Sequence, residues 1–304
     1  RKFLNFAGPA VYVVMIILMI AIWAEVGGSL LSEVGNIFAS GTRSGGFEGL
    51  GSFGAFLAVF SIMVGYFAAV VINFGDFARF VKNEEEMKKG NLYGLVGNVI
   101  FFSFITLMIT GGTIALFGEY IAQPTDMVAK VDNIFLTVIA AFAFFAATVG
   151  INMVANFIPP AYDLANLMPS KINFRTGGLI TAGFGFIIGG MWVAVITKMG
   201  IFPFVNTLGA ILAPVFGIMI TDYYIIKKQK IDVNALFNEG KGKYWYNDGF
   251  NLKGMVAWIL SGYIAIGSVW PNILPGGLGD FFANLGGGGG YAWIIGASLG
   301  AVVH

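Results

Sequence analysis

The sequence predicts an all-α integral membrane protein, and three observations carry that prediction. Hydrophobic residues make up 57% of the chain and charged residues 11%, where a soluble domain carries about a quarter of its residues charged. The apolar residues fall in continuous runs close to the roughly 20 residues a helix needs to cross a bilayer, without the period-two alternation of a barrel strand. Mean hydropathy is +0.81, and the basic residues gather at alternate ends of the runs.

Eight runs are expected, at approximately 8–32, 53–75, 94–118, 133–158, 177–197, 203–226, 253–270 and 287–303. The first follows Arg1 and Lys2. The second has Gly65, Tyr66 and Phe67 near its centre, and the third follows a connection of mixed charge that reads as a solvated face. The fourth ends in Asn152, Asn156 and the pair Pro159-Pro160, after which 159–170 is spaced like a short amphipathic helix suited to the membrane surface. The fifth and sixth meet near Gly200. A long polar loop with Tyr244, Trp245 and Tyr246 precedes the seventh, and those aromatics suit the headgroup level. The eighth starts in Gly286 to Gly290, a flexible beginning.

With the amino end of the chain cytoplasmic, fourteen of the seventeen Lys and Arg fall inside and only Arg43, Lys130 and Lys198 outside. That is the positive-inside pattern. The expected location is a plasma (inner) membrane, multi-pass, with the lipid bilayer as partner. The chain opens on Arg-Lys without Met or signal-peptide cleavage site and is read as a fragment.

Composition also excludes chemistry. Cysteine is absent and His304 is the only histidine, so thiolate or histidine metal sites and a histidine triad cannot be built. A net charge of +1 gives no attraction to nucleic acid. No cofactor and no metal are expected.

The polar residues inside the runs are the informative ones. Asn152 and Asn156 lie four apart and share a helix face. Polar side chains at membrane depth face a bundle interior, a cavity or a polar partner, so the pair reads either as a ligand site or as a hydrogen bond between helices. Gly65 reads either as a helix break or as a packing glycine.

Three motifs in order carry a resemblance: Asn73-Phe-Gly-Asp-Phe-Ala-Arg-Phe, Asn156-Phe-Ile-Pro-Pro-Ala-Tyr-Asp-Leu-Ala-Asn-Leu, and Ala213-Pro-Val-Phe-Gly-Ile-Met-Ile-Thr-Asp-Tyr-Tyr. The chain resembles the nucleobase:cation symporter family, type one, over essentially its whole length, as helices five to twelve of a twelve-helix transporter. The resemblance implies a five-plus-five inverted-repeat (sodium-symporter-like) fold from which the first four helices are missing. It also implies discontinuous helices around a mid-membrane substrate.

Carried over residue by residue, the resemblance makes Phe67 the aromatic that stacks on a flat substrate ring, beside Gly65 and Tyr66 on the broken helix. Family members often have Trp there; Phe67 keeps the π face and loses the indole donor. It makes Asn156 the direct contact to the substrate's amide edge and Asn152 its support, since a carboxamide offers donors and an acceptor together. Sodium-dependent relatives carry hydroxyls where this chain has Gly150 and Ile151, with Ala147 at the carbonyl position. Thr148, the nearest hydroxyl, is out of phase. The ion site is degenerate, sodium coupling is doubtful, and proton or sodium remains the choice of coupling ion.

Asp76, Arg79, Asp163 and Asp222 fall at cytoplasmic helix ends, and read as an inner-gate network or a proton path. Leu208 and Leu212 are candidates for an outer gate. An intramembrane aspartyl protease would use Asp163 and Asp76 as its dyad, but the motif order is reversed and Asp163 is too shallow. The expected function is a secondary transporter, not an enzyme, importing a small planar amide-bearing ring such as allantoin, uracil, cytosine or a hydantoin. An amino-acid or organic-cation carrier on the same fold is the alternative.

Overall fold

A computed structural model of the chain describes residues 2–40, 50–119, 121, 124–130, 134–236 and 242–304. Arg1, Arg43 and Lys241, three of the basic residues used for orientation, lie outside the described residues, as does residue 133. The described residues are almost entirely helical. Their one extended pairing is an isolated antiparallel bridge between Asn247 and Phe250.

Among the described residues six helices are long and apolar enough to cross a bilayer: Phe6–Val26, Glu84–Phe117, Thr137–Leu167, Phe174–Met199, Phe202–Ile226 and Leu252–Val269. Gly51–Tyr66 and Ala292–Val303 are shorter apolar helices. Large apolar side chains such as Phe53, Phe186, Val193 and Val302 point outward and are largely exposed. In water that surface would be costly, and in hydrocarbon it is at home.

The helices gather into two compact units, residues 1–41 with 75–186 and residues 42–74 with 187–304. In the first, Lys2–Val26 packs on Ile134–Ile151 and on Asn98–Phe117, and Ser29–Ser40 packs on Asn98–Phe117. Their shared core is Val14, Met15, Leu18, Ile22, Ile105, Ile109, Val128, Ala140 and Ala143. Without a hydrophobic drive between helices in lipid, close packing does the work, and small residues permit it. A Cβ at Gly112 would lie 2.0 Å from Cγ2 of Ile22.

The charged connection of this unit folds for local reasons. Asn83 caps Glu84–Asn91 by accepting the Glu86 N–H at 2.9 Å. Glu84, Glu85 and Glu86 fill the first turn and Lys88 and Lys89 the last, as the helix dipole favours. Lys88 and Lys89 pair with Glu84 and Glu85 one turn back, at 2.7 and 2.8 Å.

The second unit is built around Ile201–Ile220, which packs on Ala292–Val303, Leu252–Val269 and Gly51–Tyr66. Here backbones nearly touch. A Cβ at Gly217 would lie 2.0 Å from the Ala297 carbonyl, and one at Gly300 would lie 2.4 Å from the Pro214 carbonyl. Trp258 Nε1 donates to the Ile211 carbonyl at 2.8 Å, and Tyr291 Oη donates to that of Gly54 at 3.0 Å. The polar loop after this helix folds back on itself: Tyr244 Oη accepts the Asp232 N–H at 3.0 Å, and the Lys227 ammonium lies 5.0 Å over the Tyr244 ring.

Candidate substrate and gate residues

Asn152 and Asn156 belong to the first unit. The Ile134–Ile151 helix passes into a π-helical segment, Asn152–Phe157, and then into Ile158–Leu167. The physical cause is two residues downstream. Pro159 and Pro160 have no N–H, so the carbonyls of Ala155 and Asn156 cannot receive their usual α-helical bonds. The Ile158 N–H instead reaches back five residues to the Met153 carbonyl. Single π turns recur at functional sites, although Leu92–Gly97, Trp192–Ile196 and Thr221–Ile226 are π-helical here too.

Within the π segment the carboxamides form a directed chain. Asn156 Nδ2 donates to Asn152 Oδ1 at 2.8 Å, Asn152 Nδ2 donates to the Thr148 carbonyl at 2.8 Å, and the Thr148 hydroxyl donates to the Phe144 carbonyl at 2.8 Å. Asn152 is therefore engaged on both ends. Asn156 keeps Oδ1 and one N–H, an acceptor beside a donor, and its side chain is exposed. That pair matches the N–H and C=O edge of a cyclic amide. Of the degenerate ion positions, Gly150 is buried and Ile151 is 63% exposed. The Thr148 hydroxyl spends its proton on its own helix.

Gly65, Tyr66 and Phe67 belong to the second unit. The helix runs unbroken through Gly65 to Tyr66, and the interruption is Phe67 alone, at φ −90° and ψ 6°, before Ala68–Ile72. Gly65 takes the packing role. A Cβ on the facing Gly209 would stand 3.2 Å from its Cα. The backbone stays bonded across the interruption, Phe67 N–H to Val64 at 3.1 Å and Val71 N–H to the Phe67 carbonyl at 3.0 Å. Ala68, buried against Ala213 and Trp293, anchors the residue after Phe67. The rings of Tyr66 and Phe67 meet edge to face at 5.1 Å, with Tyr66 the more exposed.

Asp76, Arg79 and Asp163 come together in the first unit. Arg79 Nη2 lies 3.7 Å from Asp76 Oδ1, and the Asp163 carboxyl faces both Asp76 and Arg79. The guanidinium carbon lies over Tyr162, 4.0 Å from its ring centre, and Tyr162 leans on Phe174 at 4.6 Å. An ion network with an aromatic seat holds the arginine's plane, which a lysine could not reproduce. Gly177 lets the two helices meet there, since its Cβ would lie 2.5 Å from the Ala161 carbonyl.

Asp222 has partners of its own in the second unit: Lys227 at 2.5 Å and His304 Nε2 at 3.6 Å. Burial pulls the Lys227 ammonium down, but the hydrogen bond and charge of Asp222 outweigh it and raise the group above its ordinary value. Leu208 is exposed, whereas Leu212 packs beside Ala68, Ala213 and Trp293. Asn206, a lone carboxamide in an apolar run, is a polar residue that the motifs do not single out. Among the described residues no group of three His, Cys, Asp or Glu could hold a metal ion.

Residues 1–296 match the family of permeases for cytosine/purines, uracil, thiamine and allantoin. The chain belongs to this family. Permease relatives include an allantoin permease of Bacillus subtilis, 32% identical over 274 residues, covering 90% of this chain and 54% of the relative. A purine-uracil permease of Arabidopsis thaliana is 28% identical over 207 residues, 67% of this chain and 34% of the relative. A hydantoin permease of Microbacterium maritypicum is 27% identical over 233 residues, 72% of this chain and 45% of the relative. The chain thus spans about half the length of the curated relatives it matches, or less. No solved structure gives a significant match.

Proposed function

We propose that this permease-family chain is part of a secondary transporter that imports a small, planar, amide-bearing ring by alternating access. Allantoin, uracil, cytosine and hydantoins are the substrate class, as the description of the family and the names of its relatives indicate for those proteins. The observation that carries the reading is the directed carboxamide chain. Asn152, tied to the Thr148 carbonyl, fixes Asn156 so that one acceptor and one donor remain for a ligand's amide edge. Phe67 offers the ring face, held between a packed Ala68 and the Gly65–Gly209 contact.

In this reading eight helices cross the membrane in a five-plus-five inverted repeat, with the amino end of the chain cytoplasmic. Asp76, Arg79, Asp163 and Tyr162 close the inner mouth, Asp222 with Lys227 ties down the cytoplasmic end of its own helix, and Leu208 covers the outer entrance. Substrate moves when the mouths open in turn, with no covalent step. The coupling ion is a proton or sodium, and sodium is disfavoured because Gly150 and Ile151 offer it no side-chain oxygen while hard cations need a full oxygen shell. Uptake of radiolabelled allantoin, uracil and 5-substituted hydantoins into liposomes holding the full-length protein tests the substrate class. Saturable uptake of at least one, competed by the others and not by amino acids or choline, is the expected result.

A further inference from the structure

The second unit contains a cavity of 260 Å³ lined by Val59, Ile62 and Met63 from one helix, Phe202 and Asn206 from another, and Gly287, Gly288 and Gly290 from the glycine loop. Its wall is apolar except at Asn206. Asn206 is 8% exposed as a residue, and its carboxamide forms no hydrogen bond among the described residues. Its amide atoms are not sealed in the interior but keep contact with the open space of the cavity, where a ligand's polar edge can meet them. The neighbouring Thr207 is fully engaged, donating to the Pro203 carbonyl at 2.6 Å and accepting from Trp270 Nε1 at 2.8 Å. So the polar groups beside Asn206 are satisfied, and it alone opens onto the cavity.

The loop opposite is shaped to leave that space. Gly287 and Gly288 hold φ of +61° and +92°, values that side-chain-bearing residues rarely adopt. Their N–H groups bond back to the carbonyls of Asn284 and Ala283, which fixes the loop while bringing no side chain into the cavity.

We propose that this cavity is a second binding site, which takes one neutral, single-ring heterocycle carrying an amide edge. Asn206 supplies paired donor and acceptor to the N–H and C=O of that edge, Met63 and Phe202 supply polarizable apolar surface, and the glycine loop forms the floor. Pockets for drug-sized ligands run from about 300 Å³ upward, so 260 Å³ accommodates one ring and not a nucleoside. Among the described residues no charged side chain lines it, which suits a neutral ring. The occupant belongs to the substrate class proposed above, and to that extent the inference rests on that reading; the site itself is separate from Asn156 and Phe67. In the proposed orientation it opens toward the outer face, where it would hold a substrate molecule before entry.

The 304 residues contain no cysteine, so a reporter can be placed at the cavity wall. In full-length protein whose remaining cysteines are replaced, Met63→Cys is labelled with a small maleimide while allantoin, uracil and 5-methylhydantoin are titrated as probes. The expected result is that at least one probe protects the thiol. Adding Asn206→Leu should raise the half-protecting concentration by about tenfold or more, and adding Asn156→Ala should leave it unchanged. Retained elution as a single peak and retained Asn156-dependent binding show that Asn206→Leu is folded. Protection that is absent, or that follows Asn156 instead of Asn206, overturns the second site while leaving the transport reading intact. A thiol that no maleimide reaches in full-length protein also overturns it, because the rest of the polypeptide then fills the cavity. Conversely, protection that depends on Asn206 in a protein that takes up none of the probes sinks the transport reading alone.

Discussion

Asn156 Nδ2 donates to Asn152 Oδ1 at 2.8 Å, and Asn152 passes the polarity on to the Thr148 backbone at 2.8 Å. Two asparagines four apart are equivalent in a helical projection, but in the folded chain they are not. The direction of the bond leaves Asn156 with an unused acceptor and donor, and leaves Asn152 with its acceptor and one donor already engaged.

That asymmetry predicts unequal mutants. Asn152→Leu removes the acceptor that orients Asn156 without removing the ligand-binding group itself. Substrate affinity should fall several-fold, by about 1 kcal/mol, the net worth of one hydrogen bond, with no change in which ring is preferred. Equilibrium binding of a labelled hydantoin, together with its competition profile, measures both quantities. A change of ring preference at Asn152 would mean that Asn152 touches the ligand.

The interruption at Phe67 gives a second contrast. Phe67→Ala removes the ring face and should abolish measurable binding, whereas Phe67→Trp keeps a π face and should retain it. Tyr66→Ala should be mild. If instead Tyr66→Ala is the damaging change, the stacking residue is Tyr66, the more exposed of the two rings.

Much of the fold is legible in the sequence, because continuous apolar runs have one low-energy solution in lipid. Less is legible where a partner distant in sequence decides. Gly65 and Phe67 are two residues apart, and only Gly209 across the helix pair shows that the glycine packs and the phenylalanine interrupts. The π segment at Asn152 follows from Pro159 and Pro160 and could have been read from them. Asp222 looks like a companion of Asp76 by helix-end position, yet its partners are Lys227 and His304. Asn206 shows locally only as a lone carboxamide in an apolar run; its meaning comes from three chain segments that meet around it.

Helix packing in the second unit predicts a stability effect independent of function. A Cβ at Gly217 would lie 2.0 Å from the Ala297 carbonyl, and backbone cannot yield as a side-chain tip can. Gly217→Ala should therefore lower the unfolding temperature in detergent, by a loss of about 1–3 kcal/mol typical of overpacking. Gly183→Ala, with open space around its Cβ position, should be nearly silent. Fluorescence-detected thermal unfolding of the two variants compares them directly.

Coupling rests on the residues before Asn152. With Gly150 and Ile151 contributing no side-chain oxygen and the Thr148 hydroxyl turned to the Phe144 carbonyl, uptake should persist when sodium is replaced by potassium. It should rise with an inward pH gradient and collapse with a protonophore. Uptake that requires sodium, with affinity rising as sodium rises, would place a cation on backbone carbonyls that this account leaves unused.

Equilibrium binding of radiolabelled allantoin or hydantoin to the full-length protein decides whether Asn156 reads the amide edge of the substrate. Asn156→Ala should weaken binding by about tenfold or more, since it strands the ligand's donor and acceptor at a cost of about 1–3 kcal/mol. The folded fraction, judged by elution profile and unfolding temperature, should be unchanged. Binding that is the same in Asn156→Ala as in the parent protein would contradict the account.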